Sequence, residues 1–225
     1  QILPNLESIT TKFYRIWRFG NFPLSLQKKR EMIKRIIKGS ILADYRRRKV
    51  IVLLGARQVG KTTLLSELQE GKEKTLFLNC DNADDVLFLE GRTTTELKHL
   101  LSPYELVFID EAQRVKNIGL TLKMIGDLKL ETQVVVTGSS SLDMANEINE
   151  PATGRLIEYN LFPFSLPELA ESTSEKEEHR LLETRMVYGL YPEVVTEPRD
   201  AKRTLMGLTN NYLYKDLFAY KGIKK

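Results

Sequence analysis

Residues 50–65 read Val50-Ile51-Val52-Leu53-Leu54-Gly55-Ala56-Arg57-Gln58-Val59-Gly60-Lys61-Thr62-Thr63-Leu64-Leu65. An apolar pentad is followed by a loop of the form G-x-x-x-x-G-K-T and then by apolar residues at helical spacing. β-branched and leucine residues without polar alternation suit a strand buried on both faces. Strand, glycine loop and helix start, in that order, aim several backbone N–H groups and the positive end of a helix dipole at one point, which is what a polyphosphate requires. Gly55 and Gly60 give the loop its permissive dihedrals, and Lys61 reaches for the β- and γ-phosphates. The stretch Ala56, Arg57, Gln58, Val59 and Thr63 completes the cradle. At its tip, the side chains of Arg57 and Gln58 either meet nucleotide or a neighbouring subunit, or face solvent.

Outward from this loop the chain alternates. Strands are expected at 50–54, 75–80, 105–110, 133–137 and 155–159, with helices at 61–70, 94–101, 118–128 and a short one from Ser141. The fold class is therefore α/β: a P-loop NTPase with a parallel five-stranded sheet and helices on both faces, ligand binding at the carboxyl ends of the strands. A basic helical segment (1–45) precedes the ATPase core (46–162). A helical lid (163–225) follows, read as helices at 165–172, 175–188 and 200–218, with the polar stretch 172–178 as an exposed connection.

Hydrolysis of a phosphoanhydride needs a metal holder and an oriented water in addition to the loop. Leu106-Val107-Phe108-Ile109-Asp110-Glu111 offers both, four apolar residues delivering two carboxylates to a strand end. Asp110 is expected to hold Mg²⁺ through water together with the Thr62 hydroxyl, and Glu111 to act as general base. The next strand runs into Thr137-Gly138-Ser139-Ser140-Ser141 and is expected between the glycine loop and the Asp110 strand. There Ser139 either senses the γ-phosphate or holds the water, or merely closes a turn. Arg155 is read either as an arginine finger, acting in cis or across a subunit boundary, or as a structural ion pair.

Composition bounds the rest. The chain has 225 residues, 42% of them apolar and 28% charged, and its apolar runs are far shorter than a bilayer span, so no membrane association and a cytoplasmic location are expected. One cysteine, Cys80, excludes an internal disulfide and reads as a small buried hydrophobe; with two histidines besides, no zinc site assembles. Residues 1–49 hold 13 Lys/Arg against three acids, a charge of +10, which leaves −6 for the remainder. Two readings of this asymmetry stand: a nucleic-acid contact through Lys28-Lys29-Arg30 and Arg46-Arg47-Arg48-Lys49, or the wet face of a helix whose apolar side carries Met32, Ile33, Ile36, Ile37 and Ile41.

The ordered set G-A-R-Q-V-G-K-T-T-L-L (55–65), F-I-D-E-A-Q (108–113), T-G-S-S-S (137–141), G-R with L-x-P-x-S-x-x-E-L (154–169), Y-P-E-V-V (191–195) and Y-L-Y-K-D-L (212–217) resembles the AAA-14 type of AAA+ superfamily ATPase, bacterial and archaeal proteins that usually carry a DUF4143 C-terminal region. The resemblance covers residues 35–225. It implies ATP or ADP with Mg²⁺, the roles given above for 55–62, Asp110 and Glu111, and a site near Ser139 and Arg155. Ala56 stands where relatives commonly have proline. Relatives also continue through a winged-helix-like segment and a nuclease-like region that nothing here matches, so the chain is expected to be a fragment. The leading expectation is an ATPase whose cycle moves the lid or a partner domain. The alternative is a nucleotide-gated module that binds DNA or protein with negligible turnover, and self-association is open under both.

Overall fold

The computed structural model describes residues 32–139 and 154–210, which form two compact units. The larger, Arg35–Pro163, contains a five-stranded sheet. Its elements in chain order are α1 (Ile37–Asp44), β1 (Val50–Gly55), α2 (Lys61–Gln69), β2 (Thr75–Asn79), α3 (Ala83–Leu89), α4 (Thr94–Leu101), β3 (Leu106–Asp110), α5 (Ile118–Leu128), β4 (Gln133–Gly138) and β5 (Leu156–Leu161). All strand pairs are parallel, in the order β2-β3-β4-β1-β5. The chain leaves the neighbours β1 and β4 in opposite directions, toward β2 and β5. This puts a topological switch point where the glycine loop begins.

Period-two alternation divides each central strand between two cores. Val50, Val52 and Leu54 of β1, Val107 and Ile109 of β3 and Val134 and Val136 of β4 face Leu89, Leu97, Leu101, Ile118, Leu122 and Ile125 from α3, α4 and α5. Ile51, Leu53, Leu106, Phe108 and Val135 face Ile41 of α1 and Leu64, Leu65 and Leu68 of α2. Every residue of β1, β3 and β4 is buried, as the apolar runs require. Cys80 is buried in the first core, and its surroundings push the thiol up to about 12, with Asp85, Asp110, Asp81 and Glu111 adding to the effect of burial.

Helix α4 starts where Thr93 and Glu96 exchange side-chain and backbone hydrogen bonds in a capping box, and those bonds hold the Glu96 carboxyl below its ordinary range. Helix α3 was not expected. Its sequence, Ala83 to Leu89 after Asn82, spans only two turns, too short for periodicity to register, but Asn82 caps it through the Asp84 N–H. Helix α1 packs Ile41 and Ile37 on the sheet and belongs to the larger unit. In the basic run that follows, Arg47 pairs with Asp44 at 2.8 Å and Arg48 with Glu131 at 3.2 Å. Lys28-Lys29-Arg30, the helix from Ser141 and the 212–217 motif lie outside the described residues.

The smaller unit contributes α6 (Leu166–Ser172), α7 (Glu175–Arg180), α8 (Leu182–Tyr188), α9 (Pro192–Thr196) and α10 (Ala201–Leu208). Phe164, Leu169 and Val195 form its core, with Ile33 and Leu190 packed against them. The connection expected at 172–178 is exposed over 172–176, but from Glu175 it is helical and at Glu178 it is buried. Ser174 caps α7, and Glu178 is buried, gripped by both Nε and Nη2 of Arg185 at 3.0 Å and by the Thr173 hydroxyl at 3.1 Å. A polar sequence can be ordered in this way when its charges find partners in the fold. The helix expected over 175–188 is divided in two at Leu181.

Phe108 is fully buried at the centre of the second core, its ring tilted against Phe77 at 5.9 Å. Phe108→Ala is expected to lower unfolding free energy by about 3–5 kcal/mol in urea denaturation. A loss below about 1 kcal/mol would mean that the two-core packing is misdescribed.

Candidate functional site

At the carboxyl end of β1, the neighbouring strand β5 comes so close that a Cβ on Gly55 would lie 2.6 Å from the Leu161 carbonyl oxygen. Only glycine fits. The loop then uses left-handed backbone at Gln58 (φ 60°) and at Gly60 (φ 98°) before α2 begins at Lys61. Such reversals turn successive N–H groups toward one concavity, the geometry of an anion nest. Lys61 is 5% exposed, and its ammonium donates to the Gly55 carbonyl at 2.8 Å and the Ala56 carbonyl at 3.1 Å. Burial holds its pKa below the ordinary lysine value; Glu111 and Asp110 oppose that shift and Arg57 adds to it.

Beside the loop, the Thr62 hydroxyl donates to Asp110 Oδ2 at 3.1 Å. Register explains the meeting: β4 lies between β1 and β3, with Leu53 level with Thr137 and Ile109 level with Val136. The first turn of α2 and the last residue of β3 are thereby brought to one point across β4. Thr137, fully buried on β4, donates its hydroxyl to Asp110 Oδ1 and accepts the Glu111 N–H at 3.2 Å. One hydroxyl thus ties the Asp110 carboxylate and the Glu111 backbone to β4. Glu111 itself has left-handed backbone (φ 53°), which turns the chain out of the strand, and its Oε2 accepts from the Gln113 side-chain amide.

The donor set suits a small hard cation that keeps most of its water: one hydroxyl and one carboxylate in contact, with the remaining ligands left to phosphates and solvent. Among the described residues, no group of three or more His, Cys, Asp or Glu side chains forms a cage that would hold a metal without a substrate. Concave N–H groups, a buried ammonium and this oxygen pair together can accept a magnesium polyphosphate. Glu111, one residue beyond the pair, can take a proton from a water near it.

Other expectations fare differently. Ser139 stands just past β4 at this same sheet edge, half-buried, but the β4 hydroxyl bonded to both acids is Thr137. Arg155 takes the second of its two readings, the structural ion pair. It immediately precedes β5, its carbonyl accepts the Val50 N–H, and its guanidinium pairs with Asp127 near the end of α5. That ion pair sits at the amino end of the strands, roughly 17 Å of extended chain away from the loop, so a finger at this position could serve only a second copy's loop.

Two contributors besides Thr137 carried no signal in the sequence. Arg35, 8% exposed, donates to the carbonyls of Val59 in the loop and Phe162 beyond β5, bracing the cradle from behind. In the sequence it is one more cation in a basic stretch. Gln113 sits in F-I-D-E-A-Q and was quoted for the resemblance, yet nothing about a glutamine two residues past an acid marks it as touching that acid.

Residues 47–170 match the AAA_14 family, described as an AAA domain. An uncharacterized protein of Haemophilus influenzae is 24% identical over 191 residues, 77% of this chain and 47% of that protein, so the chain spans about half the length of that relative. Among solved structures, a Walker-type ATPase of Pyrococcus abyssi superposes with a TM-score of 0.56 at 14% identity, covering 84% of this chain and 75% of the other, which establishes likeness of fold. A signal-transduction ATPase with numerous domains from Pyrococcus horikoshii gives a TM-score of 0.43 at 14% identity, over 75% of this chain and 30% of its own. Among the described residues, no helix is long and apolar enough to cross a membrane.

The lowered pKa of Lys61 makes ligand binding sensitive to alkali. A polyphosphate placed beside the ammonium favours its charged form and raises its pKa, so the bound state holds more protons than the free state wherever the free lysine has begun to titrate. Calorimetric titration of Mg-ADP in buffers of unlike ionisation heat is expected to show proton uptake attributable to this group that grows as pH rises toward the ordinary lysine range. Proton release as pH rises would contradict the assigned sign.

Proposed function

The chain belongs to the AAA_14 family of AAA domains, and we propose that it is a magnesium-dependent ATPase that hydrolyses the β–γ phosphoanhydride of ATP. The observation that carries this reading is the Thr62 hydroxyl on the Asp110 carboxylate, with Glu111 one residue further on and Lys61 alongside. The bound Mg²⁺ would supply neutralisation of β- and γ-oxygen charge. The chain's own groups do the rest. Loop amides from Gly55 to Thr63 and the Lys61 ammonium hold the polyphosphate, leaving the carbonyls that the ammonium satisfies in its absence. Thr62 and Asp110 hold the metal, and Thr137 keeps the Asp110 carboxylate from rotating.

Glu111 accepts a proton as water oxygen bonds to the γ-phosphorus and the bond from that phosphorus to the bridging oxygen breaks, leaving ADP and phosphate. Ser139, at the same strand edges, is the group proposed to register the γ-phosphate. Arg155, placed at the far edge, acts only if a second copy presents its loop there. The output is a conformational change in the helical unit or a partner domain, in the cytoplasm, with the basic N-terminal segment as the route to any DNA. P-loop kinases often lack a carboxylate next to the metal aspartate, and the adjacency of Glu111 to Asp110 favours water as the acceptor.

A nucleotide-gated binding module with negligible turnover is the competing class. Phosphate release from Mg-ATP separates the two: Glu111→Gln is expected to slow it by about 10²- to 10⁴-fold while Mg-ADP affinity holds. Wild-type protein no faster than Glu111→Gln would remove the enzyme and leave the module.

A further inference from the structure

The side-chain amide of Gln113 donates through Nε2 to Glu111 Oε2, while its own Oε1 is buried with no hydrogen-bond partner. That combination is unfavourable for folding alone, because a buried acceptor left unmet costs more than an apolar side chain of the same size would. Leucine or methionine would fill the space without an orphaned oxygen. The donor is what distinguishes glutamine here, and it is directed at Glu111.

The backbone has the same consequence. Glu111 is in the left-handed region and Ala112–Arg114 form a single 3₁₀ turn, closed by Glu111 carbonyl to Arg114 N–H at 3.1 Å and Ala112 carbonyl to Val115 N–H at 3.0 Å. Ala112 and Val115 are buried in the first core and anchor this turn. The turn brings residue 113 back beside residue 111. The Glu111 backbone is held by Thr137 and its Oε2 by Gln113, which leaves Oε1 as the oxygen without a protein donor among the described residues.

We propose that Gln113 is a positioning residue for hydrolysis: it fixes the Glu111 carboxylate so that its second oxygen, Oε1, meets the attacking water. The assignment rests on the reading of Glu111 as general base given above. Gln113 touches neither nucleotide nor metal, and acts only through Glu111.

A double-mutant cycle tests this with the full chain. Gln113→Met keeps length and flexibility but has no donor; Gln113→Leu is a second variant in case the first folds poorly, and thermal melting checks both. Single-turnover hydrolysis of Mg-ATP is expected to slow by about 10- to 100-fold with either variant, the loss typical of a misplaced reacting group. Mg-ADP affinity is expected to stay within about twofold, since the loop is untouched. In a Glu111→Gln background the same substitutions are expected to cost nothing further, because the group they position is already gone. A rate at or above wild type in Gln113→Met and Gln113→Leu would overturn the inference, as would an equal loss in both backgrounds. If Glu111→Gln itself leaves the rate unchanged, the general-base reading fails first and this inference falls with it.

Discussion

A hydroxyl on the first turn of α2 meets a carboxylate at the end of β3, and the strand between them makes the meeting possible. Thr62 and Asp110 are 48 residues apart in sequence and 3.1 Å apart in space. Parallel pairing of β1 with β4 and β4 with β3 sets that distance, and the two apolar cores hold the three strands in register. A slip of one residue in β3 would turn Asp110 into the opposite core. The core residues and the site residues are thus successive positions on the same strands.

Stability is given up at this edge. Lys61 is buried and held below its ordinary pKa, Gln58 and Glu111 adopt left-handed backbone, and Gln113 keeps an unmet acceptor. Each is unfavourable in the free protein, and each lies in the glycine loop or in the turn that carries Glu111. Left-handed backbone and unmet buried oxygens also occur away from this edge, at Arg48, Asn117 and Lys129 and at Glu67 and Gln133, whereas the capping boxes at α4 and α6 and the apolar central strands follow local preference. Glu178 and Arg185 in the smaller unit show the other way of burying charge, in which two ions satisfy one another and need no ligand.

The strands and the loop are legible because they rest on signals of short range: apolar runs of strand length, glycines at fixed offsets and acids at a strand end. What escaped depended on distance. Arg35 braces the loop through carbonyls 24 and 127 residues away, and Thr137 was passed over for Ser139 because a hydroxyl inside a strand looks like a β-former until the neighbouring strand is known. Arg155 was legible as an arginine before a strand, but a strand has two ends, and the parallel direction of β5 put it at the wrong one for action in cis. Helix α3 and the division at Leu181 lie below the length at which periodicity discriminates.

On the proposed function, the loop after β1 recognises phosphate groups through backbone amides and one ammonium, with the base of the nucleotide contributing less. Competition calorimetry addresses it directly: folded protein is titrated with Mg-ADP, then with AMP, then with Mg-ADP in the presence of inorganic tripolyphosphate. Saturable Mg-ADP binding, AMP weaker by at least about tenfold and displacement by tripolyphosphate are the predicted results. Folded protein that gives no heat with Mg-ADP, or that binds AMP as tightly and ignores tripolyphosphate, would contradict it.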